Sequence, residues 1–148
     1  MILFHIAQAA GQKMKENERK VLKTFNAKCH GDELIEAPYD YCRFDAYNSS
    51  HIMEIKCRNK LYDDTIIEFD KFAFNTAYAS FKKKGFWYLV EMESTIYTFN
   101  PLKLSEENYD FKWEWRQMPR NTEFGNKEPI EKFVGYINIR DSFLEISY

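Results

Sequence analysis

The chain has 148 residues and a mass of 17.8 kDa, about the length of one domain, so a single domain over residues 1–148 is predicted. Its 23 acidic and 21 basic residues give a net charge of −2, which excludes nucleic-acid or membrane binding through a global basic field. Aromatic residues make up 18% of the chain, with 5 Gly and 4 Pro, which excludes disordered, low-complexity and collagen-like classes.

Cysteine usage and the lack of targeting signals indicate a cytoplasmic location. Cys29, Cys42 and Cys57 form an odd set without a Cys-x-x-Cys pair, which supports neither a disulfide framework nor a zinc ribbon. The neighbouring Cys29–His30 pair alone is a weak signal for zinc. The apolar run Ile2–Phe4 is too short for a signal peptide, and no segment approaches the ~18 apolar residues of a membrane span. We therefore expect a cytoplasmic protein with no membrane partner.

The first half of the chain predicts a helix followed by a β-hairpin. Apolar residues recur at helical spacing from about residue 12 to 28, and Gly31 ends this pattern. From Tyr39 to Arg58 the period changes to two, and Asn48–Ser50 supplies turn residues between two strands. Mostly polar residues alternate with an apolar set along the two strands. The apolar set is Cys42, Phe44, Ala46, Met53, Ile55 and Cys57.

The second half predicts one more helix and several strands. A loop over Asn59–Asp64 leads to a helix that ends at Lys82–Gly85. That helix begins either at a capping box of Thr65 and Glu68 or, if shorter, at Asp70. The predicted strands that follow are Phe86–Glu93, Thr95–Asn100, Lys112–Arg116, Gly135–Ile139 and Phe143–Ile146. A helix, a hairpin, a second helix and five further strands indicate a mixed α/β domain.

Two carboxylates and a lysine are brought together by the predicted hairpin. Glu54 and Lys56 are two residues apart on a strand and share a face, which Asp45 can join from the other strand. Carboxylate oxygens suit Mg²⁺, which keeps water and phosphate oxygens as further ligands. Glu18–Lys20 and Asp110–Lys112 have the same acid-x-lysine spacing, but neither has both a strand context and an Asp on a neighbouring strand. The alternative for the hairpin residues is a solvated face with a cross-strand salt bridge.

Phe44–Asp45 followed by Met53–Arg58 resembles the PD-(D/E)xK nuclease superfamily, which includes restriction endonucleases, archaeal-type Holliday junction resolvases and phage exonucleases. The resemblance extends from Glu18 to Asn100, with a Glu-bearing helix before the motif and a helix and two strands after it. Phe44 departs from the family's nominal proline before the aspartate. The resemblance implies a restriction-endonuclease-like mixed sheet, with an α-β-β-α-β-β core and extra C-terminal strands.

The resemblance also implies catalytic roles. Asp45 and Glu54 correspond to the family's signature carboxylates, and Lys56 to the lysine that positions the attacking water. Glu18 corresponds to the first-helix glutamate, and its place on the apolar face of the predicted helix favours it over Glu16. The expected ligands of Mg²⁺, or of Mn²⁺ as a substitute, are Asp45, Glu54, Glu18 and the main-chain carbonyl of Ile55. A place at the helix rim is the alternative for Glu18.

Basic and aromatic residues around the motif are candidate nucleic-acid contacts. These candidates are Arg43, Arg58, Lys60, Lys71 and Tyr78. The first three flank the acids and would neutralise phosphates locally, whereas the last two share one face of the second predicted helix. On that face we expect Asn75 and Lys82 to be solvated. Sheet packing is expected for Trp113 and Trp115, with stacking on unpaired bases as the alternative.

The function that these expectations favour is Mg²⁺-dependent hydrolysis of phosphodiester bonds, in DNA in preference to RNA. The size suits a one-domain phage or mobile-element nuclease that forms a homodimer to address two strands. A non-catalytic nucleic-acid-binding or assembly module that keeps the nuclease-like fold is the alternative. The sequence does not indicate whether ends, nicks, junctions, flaps or specific sites are preferred.

Overall fold

A computed structural model describes residues 14–29, 31–38, 43–119 and 128–148. The expected start of the first helix at residues 12 and 13, His30 and the first hairpin residues 39–42 with Cys42 lie outside the described residues. No described helix is long and apolar enough to span a membrane.

The chain forms three α-helices, nine strands and a short 3-10 helix within the described residues. In chain order they are α1 (Glu16–Lys28), β1 (Ile35–Glu36), β2 (Ala46–Tyr47), β3 (His51–Arg58), β4 (Asp64–Glu68), α2 (Phe69–Lys82), β5 (Gly85–Met92), β6 (Thr95–Phe99), α3 (Pro101–Glu106), β7 (Glu114–Pro119), β8 (Pro129–Asn138), the 3-10 helix (Ile139–Asp141) and β9 (Leu144–Ser147).

A six-stranded mixed sheet with the order β1-β2-β3-β5-β6-β9 is the centre of the fold. Among the described strands of this sheet, β3 and β5 alone run parallel, and they pair from His51 with Gly85 to Arg58 with Met92. Their connection contains α2, as a parallel crossover requires. Because helices cover both faces, consecutive β3 residues Ile52–Ile55 are all buried.

Two apolar cores lie on opposite faces of this sheet. One core packs α1, through Val21 and Phe25, against Met53 and Ile55 of β3. The other packs α2 and the region around β4 and β8 against the opposite sheet face. Its buried members include Ile52, Ile67, Ala79, Phe86, Tyr88 and Ile137. The mixed α/β fold class predicted from the sequence is confirmed.

A second, three-stranded antiparallel sheet has the order β4-β8-β7. Asp64 pairs with Asn138 and Glu68 with Val134, so β4 and β8 join segments far apart in the chain. The expected loop to residue 64 is therefore one residue too long, and Thr65 lies in a strand, so the predicted capping box is wrong. The helix begins at Phe69, close to the shorter alternative at Asp70.

Three other local predictions differ from the structure. Phe44 and Ala46 pack into different cores, because residues 43–45 bend before the two-residue strand β2 and break the alternation. The helix α3 after β6 was not predicted; Pro101 occupies its first turn and Asn100 caps it. In the last third, β7 begins two residues later than expected and β8 is longer than expected.

Candidate active site

Glu54 lies in the middle of β3, only 4% exposed, and its carboxylate contacts two lysines. Its Oε1 atom accepts a hydrogen bond from Lys71 Nζ at 3.1 Å and lies 3.8 Å from Lys56 Nζ. Lys56 follows two residues later on the same strand face, as expected. Lys71 reaches this carboxylate from the first turns of α2. The structure thus brings Glu54 together with one predicted lysine and with one that sequence reasoning regarded only as a nucleic-acid contact.

Asp45 is fixed at the edge of β3 by main-chain hydrogen bonds. It lies one residue before β2, and continuing the Ala46–Met53 register places it opposite Glu54, on the same sheet face. Its Oδ2 atom accepts a hydrogen bond from Ile55 N–H at 2.8 Å, and its own N–H donates to Met53 C=O at 2.8 Å. These hydrogen bonds hold the Asp45 carboxylate in place, although Asp45 lies outside β2 and that strand has only two residues.

The main-chain carbonyl of Ile55 shares this edge of β3. In an extended strand the N–H and C=O of one residue point to the same side. Since Ile55 N–H points towards Asp45, the Ile55 carbonyl points to the same side of the strand. The edge next to Asp45 thus presents a carboxylate and a carbonyl oxygen together.

Burial and charge repulsion make Glu54 an unusually weak acid. Burial raises its pKa to about 7, and the neighbouring carboxylate of Asp45 adds to the rise. Lys71 and Lys56 act in the opposite direction but do not offset burial. Glu54 therefore loses its proton near neutral pH, and its ionised form favours the binding of cations.

The two lysines differ in how they respond to this environment. Burial lowers the pKa of Lys56, and the adjacent Lys71 ammonium lowers it further, while Glu54 acts against both. Burial is the largest single influence on Lys71 and lowers its pKa, but the charge and hydrogen bond of Glu54, together with Lys56 and Glu68, raise the pKa of Lys71 overall. Lys71 is accordingly the cation that balances Glu54, whereas Lys56 gives up its proton more readily.

Glu18 lies on α1, close enough to the site to sense its charges, and also caps that helix. Its Oε1 atom accepts a hydrogen bond from Lys15 N–H at 2.9 Å, at the helix N-terminus. Burial raises the pKa of Glu18 most, and among nearby charges Asp45 raises it and Lys56 lowers it. Glu18 therefore lies within electrostatic reach of both site residues, whereas Glu16 is exposed.

The oxygen atoms at this site are suitable ligands for a hard divalent cation. Carboxylates of Asp45 and Glu54 and the Ile55 carbonyl are oxygen donors of the kind that Mg²⁺ binds, with water completing its shell. Among the residues that the structure describes, no three His, Cys, Asp or Glu side chains form a ready metal-binding group. Metal binding would therefore depend on two carboxylates together with main-chain and water oxygens.

The candidate nucleic-acid contacts occupy different surroundings. Arg43 is exposed and lies 3.8 Å from Asp70, while Arg58 is half-buried at the end of β3 and Lys60 is exposed beyond it. Tyr78 packs on Phe44, with ring centroids 5.3 Å apart. Tyr78 therefore helps to hold the segment before Asp45.

The expectation of a solvated helix face is wrong for Asn75 and correct for Lys82. Asn75 is fully buried, and its Nδ2 donates to Arg43 C=O at 3.3 Å, whereas Lys82 is exposed. The helix face carrying Asn75 packs against the chain before β2, a tertiary contact that helical spacing alone does not show. Asn75 is thus a positioning residue near the site that sequence reasoning missed.

The two tryptophans of the last third have different environments. Trp113 is half-buried among aromatic rings, including Phe72 at 5.0 Å and Phe133 at 5.9 Å, so packing is confirmed for it. Trp115 contacts Phe133 at 5.2 Å but remains 67% exposed.

A small cavity of about 50 Å³ opens between the two sheets at this site. Glu54, Lys56 and Lys71 line one side of it, and β4 and β7 line the other through Glu68 and Met118. Although burial acts against ionisation of Glu68, a hydrogen bond from Lys132 at 2.7 Å lowers the pKa of that carboxyl. The three-stranded sheet therefore forms a wall over the carboxylates.

Comparisons with known proteins identify the fold of the chain. No protein-family model and no curated protein sequence matches the chain. A solved structure of Hjc from Archaeoglobus fulgidus, a Holliday junction resolvase from an archaeal hyperthermophile, is similar with a TM-score of 0.51 and 13% identity over 88% of each chain. This likeness extends beyond the Glu18–Asn100 region of the sequence resemblance. The chain has the restriction-endonuclease-like fold of that resolvase.

Proposed function

We propose that the protein is a metal-dependent nuclease that hydrolyses phosphodiester bonds in DNA. The observation that carries this proposal is the buried pair Asp45 and Glu54 at the edge of β3, with Lys56 on the same face. Burying two neighbouring carboxylates is unfavourable unless positive charge compensates them. In a resolvase-like fold, a functional metal site accounts for their retention.

Each residue has a distinct part in this proposal. Asp45, Glu54 and the Ile55 carbonyl would hold Mg²⁺, or Mn²⁺ in its place, with Glu18 contributing charge from α1. The cation supplies Lewis-acid stabilisation of the phosphate and lowers the pKa of water. Lys56, with its lowered pKa, orients the attacking water and offsets negative charge that develops on the phosphate. Hydrolysis leaves a 5′-phosphate if the chemistry follows the resemblance.

Nucleic-acid contacts would come from cations around the site rather than from net charge. Arg43, Arg58, Lys60 and Lys71 supply this local positive charge, and Tyr78 supports it by packing behind Asp45. A homodimer, a cytoplasmic location and a phage or mobile-element role belong to the same proposal. They rest on the size and the resemblance.

The ion pair of Lys71 with Glu54 favours a second candidate function. Because Lys71 Nζ lies 3.1 Å from Glu54 Oε1, one buried charge is balanced without a metal. A nuclease-like fold in which lysine has taken the cation's place would bind nucleic acid without turnover. This alternative predicts binding of DNA that is unchanged by Mg²⁺.

A cleavage assay separates these functions. Wild-type protein is incubated with plasmid, nicked and branched DNA, and with RNA, in Mg²⁺, in Mn²⁺ and in EDTA. The enzyme proposal expects cleavage of DNA that requires the metal and is lost in Lys56→Ala. Lys112→Ala is the matched control, because Lys112 belongs to an acid-x-lysine triplet outside the site and is exposed. Absence of metal-dependent cleavage for every substrate would leave only the binding function.

A further inference from the structure

A larger cavity, of about 500 Å³, adjoins the candidate active site. It lies at the end of β3, between the six-stranded sheet and the small sheet. Arg58, Ile66 and Met118 line both this cavity and the small one beside Glu54 and Lys56. A group bound here would therefore sit next to whatever the carboxylates act on.

The walls of this cavity combine charge with flat and apolar surfaces. Arg58 and Arg116 supply two guanidinium groups, while Tyr62 and Tyr136 supply aromatic rings. Neither arginine forms an ion pair with another described residue. Tyr62 is 52% exposed, and so has a ring surface available for stacking. Arg116 Nη1 donates a hydrogen bond to Tyr136 Oη at 3.3 Å, which connects these two residues.

Two aspartates argue against a site for phosphate alone. Asp63 and Asp64 also line the cavity and offset the charge of the two arginines. Carboxylates repel phosphate but accept hydrogen bonds from the exocyclic amino groups of bases. Guanidinium groups bind phosphate oxygens, and aromatic rings stack on bases. The wall thus has separate partners for the phosphate and the base of one nucleotide.

We propose that this cavity accepts an unpaired nucleotide of the DNA strand next to the phosphate at the carboxylate site. This proposal rests on the proposed nuclease function and narrows its substrate class to DNA with unpaired bases near the cut. Its volume is within the roughly 300–1,000 Å³ of ligand pockets. A base in a continuous duplex is stacked and paired, so it would first have to leave the helix, at a cost of a few kcal/mol.

Binding of two DNA molecules with equal numbers of phosphates tests this proposal. One is a fully paired duplex, and the other has the same length with three mismatched pairs at its centre. Equal phosphate counts cancel most of the electrostatic contribution to affinity. Fluorescence anisotropy in Ca²⁺, at one fixed salt concentration, gives the two dissociation constants. We expect the mismatched duplex to bind about tenfold more tightly, with the gain lost when the unpaired nucleosides are abasic.

Three variants locate the preference in the cavity. Arg116→Gln and Tyr62→Ala should each reduce the ratio of the two affinities several-fold. Both side chains are exposed, so neither change removes buried packing. Arg140→Gln is the matched control, because Arg140 is also exposed but does not line the cavity. It should keep the wild-type ratio, which separates the cavity from a general loss of positive charge.

Equal affinity for the two duplexes, or a preference that persists in Arg116→Gln and Tyr62→Ala, would overturn the proposal. Cleavage of the same DNAs in Mg²⁺ is measured separately. If the wild-type protein cleaves DNA without this preference, the proposed role of the cavity is contradicted, while the nuclease function stands. A preference for mismatched DNA without cleavage supports the cavity and contradicts the nuclease function.

Discussion

At the scale of residues, the site is governed by two buried carboxylates whose charges are balanced differently. Asp45 receives a main-chain N–H from Ile55, whereas Glu54 depends on the ammonium of Lys71. Burial raises the pKa of Glu54 to about 7, so a proton competes with any cation at this carboxylate. The charge of the site consequently changes near neutral pH.

Replacing Asp45 and Lys56 should separate metal binding from chemistry. Asp45→Asn retains an oxygen that can accept the Ile55 N–H, so folding should be kept while the ligand charge is lost. We expect it to lose both tight Mg²⁺ binding and cleavage. Lys56→Ala should keep or strengthen Mg²⁺ binding, because a nearby positive charge is removed, yet reduce kcat by about 10²–10³. Calorimetric titration beside a cleavage assay measures both, and equal losses of metal affinity in the two variants would contradict these roles.

The raised pKa of Glu54 should make the metal-free protein less stable as pH increases. In the folded state the pKa of Glu54 is about 7, against an ordinary value of 4.5, so folding favours the protonated form. The resulting stability is fully present below pH 4.5 and is lost as pH rises through 7. This loss amounts to about 3 kcal/mol.

Urea unfolding in EDTA between pH 4.5 and 8 measures this loss. Glu54→Gln, which cannot ionise, should be less sensitive to pH by that amount. Glu16→Gln is the control, since Glu16 is an exposed residue of α1 and should leave the wild-type pH dependence unchanged. Identical pH profiles for the wild type and Glu54→Gln would show that Glu54 does not titrate in this range.

At the scale of elements, α2 organises the site although the strands carry the carboxylates. Lys71 contacts Glu54, Asn75 donates to the Arg43 carbonyl, and Tyr78 packs on Phe44. The last two contacts act on the bend that leads into Asp45. Helix α2 therefore balances one carboxylate and holds the segment that delivers the other.

Removing the Asn75 side chain should disturb that segment. Asn75→Ala loses the hydrogen bond to the Arg43 carbonyl and leaves a small cavity, which we expect to lower the free energy of unfolding by about 1–2 kcal/mol. Mg²⁺ affinity should fall as well, because Asp45, a proposed ligand of the metal, lies only two residues after Arg43. Ser80→Ala, an exposed change on the same helix, controls for helix propensity. Reduced stability with unaltered Mg²⁺ affinity would limit Asn75 to packing.

Helix α1 allows a test of the two roles of Glu18. Glu18→Gln retains an oxygen for the Lys15 N–H but removes the charge near Asp45 and Lys56. Stability should change by less than ~0.5 kcal/mol, while Mg²⁺ affinity should fall several-fold. Calorimetric titration against Glu16→Gln measures the difference. Equal Mg²⁺ affinity in both variants would leave Glu18 as a helix cap alone.

The elements also show what the sequence could predict. Glu54 and Lys56 are two residues apart on one strand, so their shared face follows from local geometry alone. The position of β4 does not follow from local geometry, because this strand is short and runs directly into α2. It pairs with a strand about 70 residues later in the chain. The contact of Lys71 with Glu54 depends likewise on how α2 packs on the sheet.

At the scale of the whole molecule, positive charge is local rather than general. The net charge is −2, yet cations from β3 and α2 meet around the carboxylates. The small sheet adds Arg116 and Lys132 on the opposite side. The layered fold, and not the composition, therefore concentrates positive charge between the two sheets, where the proposed contacts with DNA lie.

The salt dependence of DNA binding should reflect this small basic surface. About four phosphate contacts would give a slope of about −4 in log K against log salt. Arg43→Gln should make the slope less negative by about 1, whereas Arg140→Gln should leave it unchanged. Anisotropy titrations in Ca²⁺ at several salt concentrations give these slopes. Equal slopes for both variants would show that Arg43 does not contact DNA phosphates.

The proposed function depends above all on Asp45 and Glu54 sharing a divalent metal. The most direct measurement is an anomalous difference map from a crystal soaked in Mn²⁺ above pH 7, where Glu54 is ionised. We expect a peak roughly 2.0–2.3 Å from an oxygen of each carboxylate, near the Ile55 carbonyl. A fully soaked crystal with no peak there, and with Lys71 still paired to Glu54, would contradict it.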